Sequence, residues 1–149
     1  MTEPTGERRV VVGVDGSQAS RHALQWAQFM AHVLDAAIDA VTVWDISAVT
    51  ASAWLDDWDP EQDAAANLRA TVAEVLGSPP VPAREIVRHG SAAAELVQAS
   101  HGAQILILGS RGHGGFHGLL LGSVSATCAA HAHCPVLIIH GDTPPPPRA

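Results

Sequence analysis

I-L-I-L-G-S-R-G-H-G-G-F-H-G-L-L-L-G-S-V-S, residues 105–125, is the stretch on which the fold turns. Four consecutive branched apolar residues, Ile105 to Leu108, predict a strand buried on both faces rather than one stripe of an amphipathic helix. Six glycines follow: Gly109, Gly112, Gly114, Gly115, Gly118 and Gly122. Ser123 comes next, and Val124 to Ala130 has the composition of a packed helix. A strand, a glycine-rich loop and a Ser-started helix together make a cradle for an anion. Glycine lets the backbone approach a ligand, and the first amides of a helix are donors without an intrahelical partner. The competing reading is a long surface connection that glycines merely shape. The cradle is favoured, because so many glycines before a helix cost conformational entropy unless something uses them.

The spacing excludes two familiar phosphate loops. A Walker loop needs a lysine, and this chain has none; its eight basic residues are all arginine. Gly-x-Gly-x-x-Gly fails as well, since Gly109, Gly112, Gly115 and Gly118 recur at intervals of three. What fits is Gly-x2-Gly-x9-Gly-Ser, on Gly109, Gly112, Gly122 and Ser123. With this motif, Leu108-Gly-Ser-Arg-Gly112, His133-Cys-Pro-Val-Leu-Ile-Ile139 and the strand and turn at Val10–Ser17, the chain resembles the universal stress protein family in its ATP-binding branch. The resemblance covers nearly the whole length.

Length and composition agree with a compact unit. At 149 residues, 47% hydrophobic, the chain is long enough for one domain with a sizeable core. No apolar run approaches the length of a membrane span, and Met1–Arg9 carries no hydrophobic segment, so neither a membrane nor a signal peptide is expected and the cytoplasm is the expected location. A net charge of −7 speaks against nucleic-acid binding, which favours a basic face. Cys128 and Cys134 make no disulfide framework and read as reduced thiols.

In chain order, residues 1–9 read as a loose arm and 10–141 as the domain. Val10–Val14 is a short buried strand, followed by Asp15-Gly16-Ser17, where Ser17 or Ser20 can cap a helix carrying Ala23, Leu24, Ala27, Ala31 and Leu34. Ile38–Trp44 is the second strand. Asp45–Asp59 is an acidic loop whose Trp54 and Trp58 could form a lid over a ligand, although a satellite hydrophobic cluster is the favoured reading. A helix runs from Pro60 or Glu61 to about Leu76. Val81–Arg88 is an edge-like strand, Ser91 to about His101 a short helix, and Ile105–Leu108 the fourth strand. Ser123–His133 is the last helix and Val136–His140 the fifth strand. Residues 142–149, with Pro144–Pro147, read as a disordered tail with nothing to pack.

Strand and helix alternating with short connections predict an α/β fold, a doubly wound five-stranded parallel sheet with helices on both faces. The resemblance implies strand order 3-2-1-4-5, of the adenine nucleotide alpha hydrolase-like type. In that order the winding reverses between the first and fourth strands, and a ligand belongs in the crevice there. Asp15-Gly16-Ser17 and the glycine loop then face one another.

The resemblance also implies the site. It places nucleotide contacts on Gly13, Val14 and Asp15, and adenine against Trp44-Asp45 and beside Leu108-Gly109. The phosphates fall among Ser110, Arg111, Gly112, Gly115, Gly122, Ser123, Val124 and Ser125. Trp44 departs from the small or aliphatic residues common at its position. Asp15 would repel a phosphate unless it bonds ribose hydroxyls or acts through a divalent metal, the Mg2+ or Mn2+ that accompanies ATP. Arg111 can reach a phosphate oxygen, and a solvated loop arginine is the alternative. His113 and His117 share its loop. Cys128, His131, His133 and Cys134 have poor zinc spacing. No Ser-His-Asp order, zinc helix or nucleophile elbow is present, so a binder of ATP with at most slow hydrolysis is the economical reading. The expected protein is an ATP-binding regulatory or sensory module that dimerises through Val136, Leu137, Ile138 and Ile139 and acts on an unknown protein partner. A slow ATPase or nucleotidyl transferase, and a nucleotide-free interaction module, are the alternatives; FMN binding is more remote.

Overall fold

The computed structural model describes residues 6–45, 59–77, 82–111 and 121–147. Among these residues nine elements alternate: β1 (Arg9–Gly13), α1 (Gln18–Leu34), β2 (Ala37–Trp44), α2 (Pro60–Leu76), β3 (Ala83–His89), α3 (Ala92–Ala99), β4 (Ile105–Gly109), α4 (Ser123–His131) and β5 (Val136–Ile139). The strands form one sheet in the order β3-β2-β1-β4-β5, every pair parallel. β1 is central, with Val10 opposite Ile38 on one side and Ile105 on the other. This is the doubly wound order expected, and it follows from right-handed crossovers that run outward in both directions from β1.

The alternation of side chains along each strand separates two cores. On one face Val10, Val12, Ile38, Ala40 and Ile107 pack with Ala23, Leu24, Ala27 and Ala31 of α1 and Leu68, Val72 and Leu76 of α2. On the other, Val11, Val41, Leu106 and Leu108 pack with Leu96 of α3 and Cys128 of α4. The small residues along α1 let its backbone lie close to the strands. At the outer edge, β3 presents Arg84, Glu85, Arg88 and His89 to solvent, charges that discourage edge-to-edge pairing.

Among the described strand residues, one polar side chain is buried. Asp39, in the middle of β2, is only 2% exposed. Its carboxylate accepts from Arg9 Nη1 at 2.8 Å, Arg84 Nε at 2.8 Å and Arg84 Nη2 at 3.1 Å. Arg9 also donates to the carbonyl of His101 at 2.8 Å, tying β1 to the end of α3. The pull of Asp39 raises the Arg84 guanidinium pKa. Arg9 is thus a strand residue with a fixed partner, not the end of a loose arm, and β1 starts one residue earlier than the apolar run suggests.

Element ends show what the capping chemistry chose. Ser17 caps α1, its Oγ accepting from Ser20 N at 3.2 Å. Asp59 caps α2 ahead of Pro60. α3 stops at Ala99 and α4 at His131, each short of the expected end. Ser123 does not cap α4. Gly122 holds the N-cap position without a side-chain bond, and Ser123 is the first helical residue.

The segment after β5 also differs from the expectation of a tail without contacts. Gly141 turns the chain with φ +60°, and Trp26 of α1 donates its indole N–H to the carbonyl of Thr143 at 2.8 Å. His22 Nδ1 lies 3.1 Å from the carbonyl of Gly141. A proline run has no backbone donors, but the carbonyls before it still accept. Deleting residues 142–149 is therefore expected to lower the melting temperature by about 2–4 °C, the effect of one net hydrogen bond in a domain of this size. Trp26→Phe should show the same loss, and adding it to the deletion should cost nothing more. Three unchanged melting curves would show that the contact contributes nothing.

Candidate functional site

The winding reverses between β1 and β4, and a cavity of about 750 Å3 opens at their carboxyl ends. The β1 exit supplies Gly13, Val14, Asp15, Gly16 and Ser17. A Cβ at Gly13 would stand 2.7 Å from Leu108 Cδ2 and 3.2 Å from Leu96 Cδ1, so a larger residue here would make these leucine side chains shift. Val14 continues the ladder, its N–H donating to the carbonyl of Val41 at 2.8 Å. Gly16 then takes φ +82°, a conformation other residues rarely adopt. One Asp15 oxygen accepts from the Ser17 amide at 2.9 Å, which closes the turn.

The β4 exit supplies Leu108, Gly109 and Arg111. A Cβ at Gly109 would lie 2.7 Å from Ala19 Cβ and 3.0 Å from the Ala19 backbone, so this glycine admits the first turn of α1. Ser110 is buried beneath. Its carbonyl accepts from Gly122 N at 2.7 Å and from Ser125 Oγ at 2.9 Å, and these bonds fasten the base of the glycine loop to the start of α4. Since no side chain caps α4, its first amides carry the partial positive charge of the helix N-terminus beside the cavity, where Gly122, Ser123, Val124, Ser125 and Ala126 form the wall.

Two elements complete the enclosure. Val41, Thr42 and Val43 of β2 line one side with Ala64, Asn67 and Leu68 of α2, and Ala92 and Leu96 of α3 close another. The lining is mainly apolar; among the described residues that form it, Asp15 and Arg111 are the charged ones. A single acid near a helix N-terminus and one forked cation suit a ligand with an apolar body and an anionic end.

Ten of the residues expected from sequence come together on this cavity: Gly13, Val14, Asp15, Leu108, Gly109, Arg111, Gly122, Ser123, Val124 and Ser125. Gly112, Gly115, His113, His117, Trp54 and Trp58 lie outside the described residues. Ser110 acts from below the surface, through its carbonyl. Trp44 and Asp45 are not on the wall; Val41 to Val43 stand there instead. Trp44 stacks on His89 of the neighbouring strand, ring centroids 4.1 Å apart, and its buried indole N–H has no hydrogen-bond partner among the described residues. The walls from α2 and α3 escape sequence reasoning, because Ala64, Leu68 and Leu96 look like any other core positions.

The thiols lie away from this chemistry. Both are unpaired, and burial pushes Cys128 up to about 11 and raises Cys134 too, with Arg9 pulling the latter down. Neither forms thiolate readily near neutral pH. Among the described residues no group of three or more His, Cys, Asp or Glu could hold a metal ion.

Residues 7–140 match the universal stress protein family. The chain belongs to that family. Universal stress protein Rv2623 of Mycobacterium tuberculosis is 38% identical over 135 residues, covering 87% of this chain and 44% of its own length. A universal stress protein of Mycolicibacterium smegmatis is 31% identical over 150 residues, covering 95% of this chain and 51% of its own. The chain thus spans about half the length of the curated relatives it matches. A crystal structure of a universal stress protein in complex with cAMP superposes with a TM-score of 0.66 at 26% identity, covering 91% of this chain and 98% of that one. Among the described residues no helix of this universal stress protein is long and apolar enough to cross a membrane.

Proposed function

We propose that this universal stress protein binds ATP in the cavity between β1 and β4 and works as a cytoplasmic regulatory or sensory module with at most slow hydrolysis. The observation that carries the reading is the convergence, on one cavity, of an uncapped helix N-terminus with the glycine-lined exits of β1 and β4. The adenosine part fits the apolar side formed by β2, α2 and α3; the phosphates fit the start of α4 and Arg111. The cAMP complex of a relative at 26% identity supports an adenine nucleotide as the ligand class. Asp15 suits either ribose hydroxyls or a phosphate-bound Mg2+ or Mn2+, an ion commonly held by one or two carboxylates together with the phosphates. Slow ATPase or nucleotidyl transfer is the second reading. No base for a water nucleophile stands out among the described lining residues, which leaves binding ahead.

Mass spectrometry of nucleotide extracted from the purified protein, followed by calorimetric titration with ATP, ADP, AMP and cAMP, tests the proposal. ATP should bind most tightly, with Mg2+ strengthening it. Absence of both co-purified nucleotide and any heat of binding would favour a nucleotide-free interaction module.

The same reading extends to assembly. β5 is the last strand of the sheet, and Val136, Leu137 and Ile138 remain partly exposed along it. A two-fold contact through this strand covers those side chains and satisfies the backbone edge. Light scattering at tens of micromolar should give twice the chain mass, a concentration at which a standard interface is occupied. A monomer with and without ATP would count against the contact.

A further inference from the structure

The peptide unit joining Gly16 to Ser17 is held at both ends. Its N–H donates to Asp15 Oδ1 at 2.9 Å. Its carbonyl accepts from Nη1 of Arg21, one turn into α1. The guanidinium is itself oriented by Glu74 of α2, with Nε 2.8 Å from Glu74 Oε2. Because Gly16 sits at φ +82° and has no Cβ, the barrier that would fix this peptide in an ordinary residue is missing. Turning it would break both bonds at once, one of them a bond to the Asp15 carboxylate. Asp15 is the acidic side chain among the described residues lining the cavity, so its direction matters to any ligand there.

We propose that Arg21 is a positioning residue for the nucleotide site: it fixes the Gly16–Ser17 peptide and thereby aims the Asp15 carboxylate, with Glu74 setting the angle of the guanidinium. This rests on the adenine-nucleotide reading above. Exposure supports a local role over a global one. The Arg21 side chain is 29% exposed and Glu74 60%, and a pair so solvated adds little to stability. Arginine suits the task because its fork serves the carbonyl and the carboxylate together, whereas lysine presents a single ammonium.

The experiment reads the peptide and the ligand separately. In the full chain, Arg21→Ala should raise hydrogen exchange at the Ser17 amide and weaken Mg-ATP binding about tenfold, the usual cost of removing a group that orients a ligand-binding side chain. The melting temperature should stay within about 2 °C, as for other solvated pairs. Arg21→Lys should recover part of the affinity, and Glu74→Gln should lose part. In an Asp15→Ala background, Arg21→Ala should change ATP affinity less than about twofold, since coupled residues do not add. Undiminished Ser17 protection in Arg21→Ala would overturn the clamp whether or not ATP binds. Raised exchange with unchanged ATP affinity would overturn the positioning role, as would an equal loss in the Asp15→Ala background. Failure of the unaltered protein to bind any adenine nucleotide would bring down the functional reading, and the positioning role with it. The exchange measurement would then still report on the peptide itself.

Discussion

Asp39→Ala is expected to destabilise the domain by about 3 kcal/mol, at the low end of the range for removing one partner of a buried ion pair. The carboxylate is 2% exposed and meets two guanidinium groups, so its loss leaves two cations facing a small void in the sheet. Partial solvation holds the cost down, because Arg9 is 22% and Arg84 54% exposed and both can turn toward water. For a domain of this length the melting temperature should fall by roughly 10 °C. Arg84→Ala should cost much less, since Asp39 keeps Arg9 and the lost arginine was half in solvent. Arg9→Ala should lie between, because the bond to the His101 carbonyl goes as well. A triple change to apolar residues of similar volume should recover most of the loss, as charges and desolvation penalty are removed together. Urea titration of the four variants reads the series. A loss below about 1 kcal/mol for Asp39→Ala would place the triad with solvated surface pairs.

Such a carboxylate was illegible in the sequence for a physical reason. Asp39 sits in a mostly apolar β2, and its partners come from strands 30 and 45 residues away in the chain. Only the register, Asp39 beside Val11 and Arg84, brings the charges together. The strands themselves were legible, because a buried parallel strand writes itself as a continuous apolar run, as Val10–Val12 and Ile105–Leu108 do. The order of those strands came from resemblance, and the topology bears it out.

Half of the cavity could be read in advance for a related reason. A turn at φ +82° and a strand end that admits no Cβ both demand glycine, so Gly16 and Gly109 show in the sequence. The walls carry no such demand. Asn67 and Leu96 could face anything, and only packing decides what they line. Trp44 stands off the described wall because the facing of a strand-end side chain depends on register. With His89 opposite, its ring has a stacking partner across the sheet edge and no reason to turn into the cavity. The start of the last helix at Ser123 was legible from the serine that follows the glycine loop; the cap falls on Gly122, whose amide donates to the carbonyl of Ser110.

Gly122→Val should abolish most ATP binding while leaving the fold intact, and the structure says why the two effects separate. Gly122 has φ −74° and ψ 169°, an extended conformation open to any residue. A Cβ there would meet Ser110 O at 3.4 Å and Arg111 Cα at 3.6 Å, ordinary contacts that require little adjustment. Nothing in the packing of the described residues demands a glycine. What remains is backbone approach: valine methyls at the start of α4 would stand between its first amides and a phosphate. Two charge-assisted hydrogen bonds at about 1.5–3 kcal/mol each make a loss of a hundredfold or more. Gly109→Val is the contrasting variant. Its Cβ would press on the Ala19 side chain and backbone at 2.7 and 3.0 Å, so that protein should lose stability and binding together. Asp15→Ala should weaken Mg-ATP binding without unfolding, and EDTA should reproduce much of that loss in the unaltered protein if the carboxylate acts through the metal. Calorimetric ATP titration, with circular dichroism to check the fold, distinguishes these cases. A folded Gly122→Val protein with normal ATP affinity would mean that the start of α4 holds no phosphate, and the cavity between β1 and β4 would need another ligand.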